Sequence, residues 1–237
     1  MKSLRRRVVA ATSIALIGLA GAAHADPVYL GPTPYLSFAD SPFFGGSHSY
    51  FYLETFEDHL LNTPGVSASG AGVTSVVFGP SIHDSVDADD GAIDGSGLLG
   101  DSYFSGSGSA GITFTFSAAT LGALPTDVGI VWTDGGAGTP VTFAAYGSGG
   151  ELLFTKTESG FADNSNNGET AEDRFFGATN AAGVSSIFIS NSSGGIEVDH
   201  LQYGATTAAA VPEPETYALM LAGLVAGSWL ARRRRTS

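Results

Sequence analysis

The stretch Asp84–Gly97, DSVDADDGAIDGSG, places Asp84, Asp87, Asp89, Asp90 and Asp94 close together, with Gly91 and Gly95 able to turn sharply. Calcium takes about six to eight oxygen ligands from a chain that can wrap around it, and this segment is rich in such oxygens. Five neighbouring carboxylates with no basic residue among them repel one another, which favours a bound cation. The spacing is not that of an EF-hand. Counted from Asp87, oxygens fall at the first and third positions, but Gly91 occupies the fifth and no glutamate follows at the twelfth. The expectation is a structural calcium site of another kind, with a solvated acidic loop as the alternative. A weaker candidate joins the two ends of the domain through Glu57, in ETFEDH, and Asp199, in IEVDHLQYG. It rests on the frequent pairing of first and last strands in jelly rolls; Asp199 equally reads as a solvent-facing residue of an alternating strand.

Catalytic signals are sparse. There is no cysteine and no Gly-x-Ser-x-Gly elbow, and His48, His59, His83 and His200 lack zinc-ligand spacing. Glycoside hydrolysis needs two facing carboxylates, but acids are so abundant that no pair stands out. No catalytic residue is assigned, and the reading is a non-enzyme. The aromatic residues crowded between Tyr29 and Tyr52 could stack on sugar faces, so a carbohydrate-binding module is the alternative function and a glycan-active enzyme a remote one. Those aromatics read more simply as core. Trp132 also reads as core, and Asp134 as a more exposed residue of the following turn.

These residues must be carried by β-structure. Val73–Phe78, Ile112–Phe116, Val128–Thr133, Val141–Tyr146, Glu151–Thr157, Ser185–Ser190 and Ile196–Tyr203 are rich in β-branched and aromatic residues. Several of them alternate with period two, between Gly- and Asn-containing turns. Only Glu54–Asn62 suggests a helical turn. The fold class expected is all-β, one antiparallel, jelly-roll-like β-sandwich over residues 26–204, followed by a linker over 205–211. With no disulfides, stability must come from a core of sufficient size, helped by metal.

The two ends have a different character. Lys2, Arg5, Arg6 and Arg7 precede an apolar run and Ala23-His24-Ala25, the pattern of a signal peptide over residues 1–25, cut after Ala25 and read by the general secretory machinery. At the other end, Pro212, Glu213 and Pro214 precede the apolar residues 217–231 and Arg232, Arg233, Arg234 and Arg235. That apolar run is short for a comfortable bilayer crossing, which suits a transient anchor in the inner membrane. Between these ends lie 21 acidic residues against two basic ones, Lys156 and Arg174, a formal charge near −19. Such a surface repels nucleic acid and anionic lipid, and it suits divalent cations and hydrated polysaccharide.

The tail over residues 212–237 resembles the PEP-CTERM sorting signal of Gram-negative, exopolysaccharide-producing bacteria, a tail type also labelled an ice-binding-protein C-terminal domain. The resemblance implies a short transmembrane sorting helix, recognition by an exosortase near Pro212-Glu213-Pro214, and the arginines as a cytoplasmic stop. It further implies release to the cell surface or extracellular matrix, with exopolysaccharide as a possible partner. The body is similar to other acidic exported proteins that share stretches such as SVDADDGAIDGSGLLGDSYFS and GGIEVDHLQYG. That similarity brings no catalytic residue with it.

Overall fold

The computed structural model describes residues 25–79, 84–136, 138–163, 165, 167–207 and 220–224. The described strands are β1 (Val28–Pro34), β2 (His48–Glu54), β3 (Val66–Ala68), β4 (Gly72–Val73), β5 (Tyr103–Ser105), β6 (Ile112–Phe116), β7 (Asp127–Gly135), β8 (Val141–Gly147), β9 (Leu152–Glu158), β10 (Arg174–Thr179), β11 (Val184–Asn191) and β12 (Ile196–Thr206). One sheet runs β1-β10-β7-β12-β5-β4, with β2 also paired to β12; the other runs β3-β6-β11-β8-β9. Every pairing is antiparallel. The antiparallel β-sandwich expected from the sequence is the architecture found.

Alternation explains the core. Ile112, Phe114 and Phe116 of β6, Phe143 of β8, and Ile187 and Ile189 of β11 point inward from the smaller sheet. They meet Ile130 and Trp132 of β7, Phe176 of β10 and Val198 and Leu201 of β12 from the larger one. The intervening residues Val131 and Phe175 are also buried, packed with Tyr35, Phe43 and Val86 in a second cluster. The larger sheet is therefore covered on both faces, which is why β7 is buried without interruption from Asp127 to Thr133. The aromatics of the first part of the chain largely serve these cores: Tyr35 is fully buried and Phe43 nearly so, while Phe44 remains exposed.

Three local expectations are corrected. Residues 73–78 do not form a strand: only Gly72–Val73 pairs, and Thr74–Phe78 is a short helix, α1. The Asp101 carboxylate accepts from the Ser75 N–H at 2.8 Å and from Thr74 Oγ1 at 3.0 Å, holding a helical turn that the β-branched run would not choose alone. The helical turn over 54–62 is absent. The buried Glu54 carboxylate gathers the N–H groups of Phe56, Asn62 and Thr63 into a loop, and Phe56 and His59 have left-handed φ values of 60° and 67°. The sandwich also extends past residue 204, because β12 continues to Thr206 and pairs Ala205 with Tyr50. Strands β1, β2 and β10 escaped the sequence reading because Gly, Pro or clustered aromatics blurred their alternation.

Ala25 is exposed, ahead of β1. The rest of the expected signal peptide lies outside the described residues, as do Pro212, Glu213, Pro214, Arg232, Arg233, Arg234 and Arg235. Within 217–231, residues 220–224 are helical and exposed. Among the described residues no helix is long and apolar enough to cross a membrane.

Candidate functional site

The larger sheet brings acids together by register. Asp134 of β7 and Glu197 of β12 are cross-strand partners. On the other side of β7, Arg174 of β10 pairs with Trp132, so continuing that antiparallel register for two residues sets Glu172 against Asp134. Like charges placed directly opposite in a sheet destabilise it, so a row of three acids is an unusual thing to build. Asp84 joins the row from the loop: its N–H donates to Glu197 Oε2 at 3.2 Å, and Thr133 Oγ1 donates to its carbonyl at 3.1 Å. One carboxylate oxygen from each of Asp84, Asp134 and Glu172 lies within 4.8 Å of those of the other two.

The electrostatics of this group are severe. Asp84 is 1% exposed and Glu172 2%. Among the described residues neither Asp84 carboxylate oxygen has a hydrogen-bond partner, and Glu172 Oε1 has none either. Burial, followed by the charges of Asp134, Glu197, Glu172 and Glu169, pushes the Asp84 carboxyl up to about 9. Burial likewise raises Glu172 to about 8 and, with Glu197 beside it, Asp134 to about 7. Asp173, next in the chain, is wholly buried and is also held well above the usual carboxylate range, first by burial and then by Asp84.

A second group forms where β12 changes partner from β5 to β2. The β7–β12 register shifts between Asp199 and Gln202, and His200 has φ 44°. This bulge explains why Val198 and Leu201, three residues apart, both reach the core, leaving Asp199 and His200 to the other face. There His200 Nε2 meets Asp89 Oδ1 at 2.9 Å, and Nδ1 meets the Tyr35 hydroxyl at 2.9 Å. Gln202 Nε2 donates to that same hydroxyl at 2.9 Å. Tyr35 can donate to Nδ1 while the Nε2–H donates to Asp89 Oδ1, which leaves Asp89 Oδ2 buried and without a partner among the described residues. Asp199 accepts from the N–H groups of Val86 and His200, and burial, then Asp89, holds its carboxyl well above the usual range. Oxygens of Asp89 and Asp199 and a His200 nitrogen are close enough for a metal, but both ring nitrogens are already engaged.

The five loop aspartates are thus not brought to one point. Asp84 faces Asp134 and Glu172, and Asp89 faces His200. Asp87 is a loop organiser: its Oδ1 accepts from the N–H groups of Asp94, Gly95 and Ser96 at 3.0–3.2 Å. Asp90 accepts from Ala92 N–H, and both Asp90 and Asp94 are exposed. Glu57 is exposed, accepts from Asp101 N–H at 2.6 Å, and is not grouped with Asp199. Sequence reasoning missed Glu172 altogether, because its place depends on strand register rather than on spacing along the chain.

The loop is held shut by a close backbone approach. Ser85 Oγ donates to Gly97 O at 2.7 Å, and a Cβ added at Gly97 would sit 1.9 Å from the Ser85 carbonyl oxygen. Gly97→Ala is expected to cost about 1–3 kcal/mol or more by forcing this contact apart. A urea midpoint unchanged from the parent chain would show that the closure is not needed.

One trio has the residue types of a hydrolase without its geometry. Ser75 Oγ and Asp101 Oδ2 both meet the same His59 nitrogen, Nδ1, at 3.0 and 2.5 Å, and Ser75 Oγ also donates directly to Asp101. A serine nucleophile needs its base on one ring nitrogen and the orienting carboxylate on the other. Asp101 here caps α1.

Residues 210–235 match the PEP-CTERM protein-sorting motif. No curated protein matches the chain. Among solved structures, the C-terminal family 22 carbohydrate-binding module of Clostridium thermocellum Xyn10B aligns at 14% identity and a TM-score of 0.27. That alignment covers 70% of this chain and 99% of the module. A xylan-binding domain of the same module family aligns at 13% identity, TM-score 0.26, over 70% of this chain and 99% of that one. An arabinose-bound α-L-arabinofuranosidase aligns at 12% identity, TM-score 0.22, over 63% of this chain and 27% of that enzyme. At these scores the likenesses carry no argument about ligand or reaction; the sandwich stands on its own strand pairing.

Proposed function

We propose that the chain is a non-enzymatic, exosortase-processed protein displayed at the cell surface or in the extracellular matrix of a Gram-negative bacterium. The observation that carries this reading is the sorting motif over residues 210–235, which implies an exported protein addressed to an exosortase. The chemistry of the body agrees with it. A formal charge near −19 between residues 26 and 210 keeps the sandwich soluble and away from nucleic acid and anionic lipid, and it is compatible with hydrated exopolysaccharide. The histidine, serine and aspartate of the best nucleophilic trio are tied into a helix cap rather than into a relay.

The test is processing in a host that carries an exosortase. Changing Pro212, Glu213 and Pro214 together to alanine is expected to abolish the shortened, released form and to hold the chain in the membrane fraction. Release of the variant at the parent level would sink the proposal.

A further inference from the structure

We propose that Asp84, Asp134 and Glu172 bind a single calcium ion, which ties the 84–97 loop to the end of the larger sheet. The site differs from a loop-wrapped one. Only Asp84 comes from the loop; Asp134 is the penultimate residue of a central strand, and Glu172 lies two residues before the neighbouring strand.

Three observations carry the assignment. The first is the set of unpartnered oxygens: Asp84 is 1% exposed and belongs with Glu172 to the cluster, yet among the described residues neither Asp84 carboxylate oxygen has a hydrogen-bond partner, nor has Glu172 Oε1. Buried polar atoms are almost always paired, and each exception calls for a missing partner. The second is geometry. Calcium–oxygen distances of about 2.3–2.6 Å place ligands on opposite sides of one ion about 4.6–5.2 Å apart, and one carboxylate oxygen from each residue lies within 4.8 Å of the others.

The third is charge. The chain has little positive charge to offset this cluster: between residues 26 and 210 its lysines and arginines are Lys156 and Arg174, against 21 acids. Lys156 Nζ lies 5.9 Å from the Tyr29 ring centre. The Arg174 guanidinium lies over Phe161 and donates to the carbonyl oxygens of Ala171 and Asp173. Arg174 feels the charges of Asp173 and Glu172 but forms no ion pair with the cluster among the described residues, so most of the compensating charge has to come from protons or a cation. A donor set made only of carboxylate oxygens selects a hard ion, and calcium tolerates an irregular shell better than magnesium, which demands near-octahedral order. The Asp89–Asp199–His200 group is the weaker candidate, since its histidine is already satisfied on both sides.

The test uses the purified full chain in detergent, stripped with chelator and titrated with calcium chloride by calorimetry and thermal melting. One saturable site per chain is expected, with a rise in Tm of about 5–10 °C at a calcium concentration roughly 100 times Kd. Asp134→Asn and Glu172→Gln should each abolish the calcium response while leaving a folded sandwich, because each also removes a repelling charge. Asp90→Asn, in the same loop but outside the cluster, should retain it. The absence of binding heat and of a Tm shift in the parent chain would overturn the proposal without touching the sorting reading, which rests on the tail. So would a response that survives in both cluster variants, or one lost in Asp89→Asn but kept in Asp134→Asn. A magnesium response equal to that of calcium would overturn the choice of ion.

Discussion

In chelator, the folded sandwich is expected to lose stability steadily as pH rises from about 5 to 9, by on the order of 5 kcal/mol for Asp84 alone. The sign follows from proton binding. Asp84, Glu172 and Asp134 are raised in the fold to about 9, 8 and 7, above their ordinary values near 4, chiefly by burial. Between the ordinary and the raised value the folded chain holds protons that the unfolded chain has released. The stability belonging to each group is therefore complete below about pH 4 and is lost as pH climbs towards its folded value. Each group contributes a slope of about 1.4 kcal/mol per pH unit within its window. The three do not add, because part of each shift is the same mutual repulsion. Thermal melts at intervals across this range should show Tm falling monotonically in chelator. A flat profile would mean that water or rearrangement solvates these carboxylates in the apo chain.

The second large effect is a packing one. Trp132→Ala is expected to remove about 4–6 kcal/mol, a large part of the roughly 5–15 kcal/mol typical of a domain. Trp132 is fully buried, lies edge-on to Phe161 at 5.3 Å, and donates from Nε1 to Asn191 Oδ1 at 2.7 Å. Deleting the indole leaves a cavity at the centre of β7 and an orphaned acceptor on Asn191, which itself donates to Gly195 O across the β11–β12 turn. Because Asp134 follows two residues later on the same strand, the loss should spread to the acidic row. Trp132→Phe separates the two contributions: it keeps most of the packing and loses the hydrogen bond, for about 1–3 kcal/mol. Urea midpoints of the two variants against the parent chain measure both. An alanine variant within about 1 kcal/mol of the parent would show that this end of the core collapses around the gap.

Much of the architecture was legible from local pattern. Runs such as ITFTF and SSIFIS alternate because one face is core and the other is not, and period two is readable without any tertiary knowledge. The same logic failed at VTSVVF. Its β-branched residues describe an intrinsic preference, whereas an acceptor on Asp101, distant in sequence, supplies the hydrogen bonds of a helical turn. It failed again at ETFEDHLLN, where Glu54 uses its carboxylate to collect loop N–H groups. In both cases a buried carboxylate overrode propensity, and nothing in the local spacing announces which acid will turn inward.

The candidate site shows the same division more sharply. The sequence alone determined that the body is acidic beyond its own means of neutralisation, that Asp84–Gly97 is dense in carboxylates, and that the chain ends in a sorting motif. Composition and order along the chain suffice for such statements. Only the tertiary structure decided that Asp84 leaves its loop companions for Asp134 and Glu172, while Asp87 braces its own loop and Asp89 turns to His200. The physical reason is that these partners are set by the register of β10 and β7 and by a bulge in β12. Register aligns residues tens of positions apart, and a one-residue shift would send each acid to the opposite face of the sheet.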